Sequence, residues 1–105
     1  MTGSQGHGRQ TIGLVLMKSE EAQATVDYVA SQCPQIRVQD RATFYLLETE
    51  GTIRIPLAEV EEFLGKPLSM SGFLVCMSSY YGRARVEDDA FIVTSEMSQL
   101  DPVQV

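Results

Sequence analysis

Side chains able to do chemistry are scarce in this chain, and their spacing withholds most reactions from them. The one histidine, His7, lies in a glycine-rich polar opening segment, whereas ligands and general bases belong on rigid elements. Glu59 and Glu62 stand three apart, the spacing of one arm of a carboxylate metal site. The histidine that completes a Glu-x-x-His pair is missing, so they read as a solvated acidic face. Cys33 and Cys76 form no Cys-x-x-Cys pair, and neither has a structured histidine to act as base. Cys33 falls on an apolar helical stripe, where a thiol packs as a small hydrophobe. Glycines 3, 6 and 8 precede no strand-to-helix turn and cannot cradle a phosphate. Ser78 and Ser79 lack an activating partner. No catalytic residue, metal site or cofactor site is therefore expected. What stands out is a surface feature: Ser78-Ser79-Tyr80-Tyr81-Gly82-Arg83 sets two small hydroxyls, two aromatics and an arginine on a strand end and turn. Tyrosine and arginine are enriched at interface hot spots; the plain alternative is a hairpin turn with exposed tyrosines.

The elements that must position these residues follow from patterning. Residues 11–17 (TIGLVLM) form a short apolar run, which predicts a strand buried on both faces. Ser19 followed by Glu20 and Glu21 starts a helix. Its apolar face carries Ala22, Val26, Val29, Ala30 and Cys33, and Pro34 ends it. Strands are expected at 36–39, 43–48 and 52–55. A turn at 40–42 joins the first two, and a tight reversal at Glu50-Gly51, with positive φ at the glycine, joins the last two. Pro56 opens a second helix and Gly65 closes it; Leu57, Val60, Phe63 and Leu64 make its buried stripe, with Glu59, Glu61 and Glu62 outward. One further helical turn is placed at 69–71. Then come a strand at 73–79, with Phe73, Val75 and Met77 on one face, a turn at 80–82, a strand at 83–86, an acidic turn at 87–89 and a last strand at 90–96.

The order predicts an α+β fold: two strand-helix-strand-strand halves packed as one domain, with about seven strands and two helices. Residues 1–10 read as a flexible tail, 11–97 as the domain and 98–105 as a C-terminal tail.

The chain has 105 residues, 44% of them hydrophobic and 21% charged, an ordinary globular composition too short for a second domain. Its net charge of -6 argues against nucleic acid and against an anionic membrane surface as partners. The opening residues hold no apolar signal segment. A cytoplasmic setting and free thiols are therefore expected.

Four segments carry a resemblance: VLMKSEE (15–21), LGKP (64–67), SSYYGRA (78–84) and TSEMSQLD (94–101). In this order and spacing they are similar to the coupling, or effector, proteins of soluble di-iron monooxygenases. The pattern is closer to the methane and short-chain alkane/alkene branch than to the phenol and toluene branch. The resemblance implies a fold of two strand-helix-strand-strand halves and a protein without metal or organic cofactor. It also implies a partner, the hydroxylase component, whose di-iron centre does the chemistry and whose electrons come from an NADH-dependent reductase. It places Cys76, Ser78, Ser79 and Tyr80 against the hydroxylase near its substrate route. There the methane relatives tend to carry smaller or more polar residues in place of Cys76 and Tyr80, so that the bulkier Tyr80 implies a differently shaped gate. The long N-terminal extension of the methane relatives has no counterpart in the roughly ten residues before the first strand. With Tyr81, Arg83 and Arg85, these residues make the expected partner-binding set.

Two rival readings stand beside it. One is a stand-alone small-molecule binding or ligand-sensing domain, with Met17, Met70, Phe73 and Met77 around an apolar cavity; such residues more often simply fill a core. The other is an isomerase using Tyr80 or Asp89, which lacks an acid/base pair.

Overall fold

The first strand is where sequence patterning and tertiary packing meet. In the computed structural model, which describes residues 11–95, β1 (Ile12–Met17) lies inside a four-stranded antiparallel sheet. Its neighbours are β3 (Phe44–Thr49) on one side and β5 (Met77–Tyr81) on the other, with β2 (Arg37–Asp40) beyond β3. Ile12, Leu14 and Leu16 point into the core and are fully buried. The opposite face is not covered along its length: Gly13 is buried, Val15 is half-buried and Met17 is exposed. The expected two-sided burial holds only at Gly13.

Helix α1 (Glu20–Gln32) begins as its residues demand: the Ser19 hydroxyl accepts from the Ala22 N–H at 3.0 Å, with Glu20 and Glu21 in the first turn. Its buried face is broader than the expected stripe. Ala22, Thr25 and Val29 are buried, as are Ala24 and Tyr28, while Ala30 is exposed. Thr25 tolerates burial because its hydroxyl donates to the Glu21 carbonyl at 2.8 Å.

The second sheet holds β4 (Ile53–Pro56), β7 (Ala90–Thr94) and β6 (Arg83–Glu87), in that order. Ile53 and Ile55 face Val93 and Phe91 in the core, so Arg54 opposite Ile92 faces out. The expected reversal at Gly51 is not a hairpin. β3 and β4 lie in different sheets, and Gly51 does not take positive φ. Helix α2 (Leu57–Leu64) follows Pro56 directly and ends at Gly65, whose φ is 82°. Leu57 and Val60 are buried, but Phe63 is 43% exposed, its ring edge-on to Tyr28 at 6.3 Å.

The largest departure from expectation is at 70–76. A strand through Phe73, Val75 and Met77 is replaced by a third helix, α3 (Met70–Cys76). The Ser69 hydroxyl caps it by accepting from the Gly72 N–H at 3.0 Å, and Phe73 and Cys76 turn to the core one helical step apart. The described residues therefore form seven strands and three helices around one core, built from both sheets and all three helices. The two expected halves are not separate units, since β5 comes from the second half and completes the first half's sheet. Residues 1–10 and 96–105, with both expected tails and His7, lie outside the described residues.

Candidate functional site

The expected partner-binding residues occupy one continuous stretch, but the fold gives them different tasks. Cys76, at the end of α3, is buried, and burial pushes its thiol pKa up, so it stays protonated. Its thiol lies in the core, beside Ser19 at the start of α1. Strand β5 is a sheet edge with one neighbour, β1. A register shift between Val15 and Leu16 leaves Ser78 as the extra residue: Val15 pairs with Ser79 and Leu16 with Met77. Ser78 and Ser79 are both exposed there.

Alternation along β5 then separates the two tyrosines. Tyr80, opposite Leu14, turns inward, and its ring meets Phe91 edge-on at 6.3 Å, while 45% of the residue stays in water. Tyr81, opposite Gly13, lies across the outer face of the sheet. A Cβ at position 13 would sit 2.3 Å from the Tyr81 ring, so a larger residue there would make the ring swing aside. The Tyr81 hydroxyl donates to the Glu48 carboxylate on β3, and one side chain thus ties three strands together. Burial, then the Glu48 carboxylate, pushes the Tyr81 phenol up to about 12.

Gly82 is the corner at which the chain leaves the first sheet for the second. Its φ is 124°, and a Cβ there would meet the Thr94 carbonyl oxygen at 2.8 Å and an Ile12 methyl at 2.9 Å. Beyond the corner, Arg83 and Arg85 face outward on β6, Arg85 with Glu87 at 3.3 Å. The site therefore brings Ser78, Ser79 and Tyr80 to one exposed edge. It sets Arg83 and Arg85 on the neighbouring sheet, puts Tyr81 with Ser79 on the face opposite Tyr80 and buries Cys76.

Sequence reasoning missed three contributors. Val75 is 83% exposed immediately before the edge strand; the serine cap at 69 was the signal that α3 would turn it outward. Gly13 and Glu48 act through Tyr81, and a pairing across 33 residues leaves no local trace.

The chemistry that the rival readings require is not assembled here. Phe73 is fully buried, with Met70 and Met77 packed partly buried against the same core, and Met17 is exposed. A groove of about 630 Å³ lies elsewhere, between α1 and α2, beside Gln23, Asp27, Phe63 and Lys66. Tyr80 precedes the Gly82 corner, and Asp89 sits in the far turn of the β6–β7 hairpin. Among the described residues, no group of three or more His, Cys, Asp or Glu is placed to hold a metal ion.

Residues 10–94 match the profile of the MmoB/DmpM family. Methane monooxygenase regulatory protein B of Methylosinus trichosporium is 38% identical over 100 residues, covering 90% of this chain and 72% of the relative. The protein of the same name from Methylococcus capsulatus (strain ATCC 33009 / NCIMB 11132 / Bath) is 35% identical over 101 residues, with the same coverage. Among solved structures, the soluble methane monooxygenase regulatory protein B superposes with a TM-score of 0.67 at 32% identity, covering 92% of this chain and 73% of that one. The regulatory chain of a phenol hydroxylase–regulatory protein complex reaches 0.71 at 21% identity, over 81% and 98%, and shares the fold.

Proposed function

The chain belongs to the MmoB/DmpM family, and from that premise we propose how it acts. It is a non-catalytic regulatory component of a soluble di-iron monooxygenase. It binds the hydroxylase component and modulates O2 activation, substrate access and the coupling of NADH use to hydrocarbon oxidation. An NADH-dependent reductase supplies the electrons, in the cytoplasm. No helix among the described residues is long and apolar enough to cross a membrane.

The observation that carries this reading is the exposed edge of β5. Ser78, Ser79 and Tyr80 stand in water on a strand with a free edge, held in place by the bulge and by two glycine contacts. A free edge offers backbone groups for pairing, small hydroxyls adapt their hydrogen bonds, and a tyrosine brings a large rigid surface. These three residues contact the hydroxylase near its substrate route, and Arg83 and Arg85 pair with its carboxylates. Cys76 and Tyr81 belong to the same surface as its supports. An effector that bound two hydroxylase conformations equally would shift nothing. The chain therefore binds one conformation in preference, with a coupling of ~1–3 kcal/mol.

The test is turnover by a di-iron hydroxylase and its reductase as this chain is titrated to equimolar amounts. Product yield per NADH should rise to a plateau; an unchanged yield refutes the reading. Tyr80→Ala should change substrate-size preference or product distribution by several-fold while affinity changes less. Loss of binding with selectivity intact would make Tyr80 an anchor instead of a gate.

A further inference from the structure

The outer face of the three-stranded sheet has a charge opposite to that of the molecule. The register sets Arg54 on β4, Ile92 on β7 and Arg85 on β6 in one cross-strand row, with Arg83 opposite Thr94 in the next. Among the described strand residues, the only acid on this face is Glu87, beside Arg85. Three positive charges against one negative thus gather on one side of a chain whose net charge is -6. The other described cations are spent locally: Lys18 on Asp40, Arg37 on Glu50 and Lys66 on Glu20 form ion pairs, and Arg41 donates to Gln39. Neither Arg54 nor Arg83 has an ion pair among the described residues.

Ile92 explains how the arginines are held. It is 3% exposed although it lies on the outer face, outside the core cluster. Its row neighbours are Arg54 and Arg85, and the methylene stems of arginines placed so cover an apolar side chain while the charged ends stay in water. Arg54 and Arg85 thus stand in one row about 10 Å apart, two strand spacings, with Ile92 between them. A shallow dimple of about 120 Å³, lined by Arg83, Ala84, Arg85 and Thr94, opens beside them.

We propose that this face, Arg54 and Arg83 with Arg85 around Ile92, is a docking surface for a carboxylate-rich protein surface, and that it steers the chain onto its hydroxylase. The proposal rests on the effector reading and adds to it a residue, Arg54, that lies on another strand from the β5–β6 segment. Guanidinium forks match carboxylates two bonds at a time. Charge screening over about 8 Å at physiological ionic strength makes this local patch, not the negative total, what an approaching surface feels. Its effect belongs mainly to the association rate.

The experiment measures association and dissociation rates of the full chain with the hydroxylase across a salt series. It compares the wild type with Arg54→Gln, with Arg54→Gln/Arg83→Gln and with the charge-keeping Arg54→Lys. For the wild type the on-rate should fall steeply as salt rises. In the double variant it should be about tenfold lower at low salt and depend less on salt, with the off-rate changed less, while Arg54→Lys stays near the wild type. Far-UV circular dichroism and melting verify that each variant is folded. Unchanged on-rates and salt slopes in folded variants overturn the proposal and leave the effector reading standing. Wild-type chain that fails to associate at any salt concentration overturns both. Tighter capture of a duplex oligonucleotide than of the hydroxylase through the same arginines overturns the choice of partner.

Discussion

Tyr81 shows how a side chain at a surface can be structural. Its ring rests on Gly13 and its hydroxyl on Glu48, so the outer end of β5 is fixed from the side opposite Tyr80. Gly13→Ala makes the ring swing aside and breaks its hold on Glu48, and should destabilise the fold by about 1 kcal/mol, read by urea denaturation. The phenol itself gives a pH signature. Its folded pKa is raised, to about 12, above the ordinary 10.0. The native state thus holds the proton more tightly than the unfolded chain, and the associated stability is complete below about pH 10. It is lost as pH climbs from there through about 12. Tyr81→Phe should flatten that alkaline decline, seen by denaturation at stepped pH, with tyrosine ionisation followed by ultraviolet absorbance.

At the scale of elements, α3 is the piece on which the placement of the candidate surface turns. Seven residues are too few to make a stable helix alone. Its start depends on the Ser69 cap, and its position on Phe73 and Cys76 in the core. Ser69→Ala should cost about 1 kcal/mol, measured as a lowered denaturation midpoint. Because α3 runs straight into β5, the same variant should speed amide hydrogen exchange at Met77–Tyr81 more than in β2 or β3. Equal acceleration everywhere would mean that the helix does not control the edge strand.

At the scale of the molecule, one core serves two sheets, so the edge at β5 and the arginine face on β6 cannot be set independently. Phe73 is fully buried and its ring lies 5.6 Å from that of Phe91, which also meets Tyr80. Phe73→Ala should therefore cost about 3–5 kcal/mol. By chemical denaturation, the transitions reported by the two sheets should still coincide, as one cooperative unit requires. A protein acting by differential binding needs that rigidity, since a surface that adapts to both states of its partner transmits no preference.

Much of this architecture was legible along the chain. Ser19, Pro34, Pro56 and Gly65 mark helix ends because caps and breakers act within a few residues. The alternation Ile53-Arg54-Ile55 sets Arg54 on the face opposite the two isoleucines, because a strand turns successive side chains to opposite faces. The family resemblance lies in short contiguous segments, and the expected contact residues lie within or beside one of them. Tertiary structure alone decided that β5 leaves its own half for the first sheet, and that Tyr81 turns away from Tyr80 onto Gly13. It alone set Arg54 in one row with Arg85. Each of these depends on which strands become neighbours, and strand pairing joins residues far apart in sequence whose local patterns are compatible with several partners.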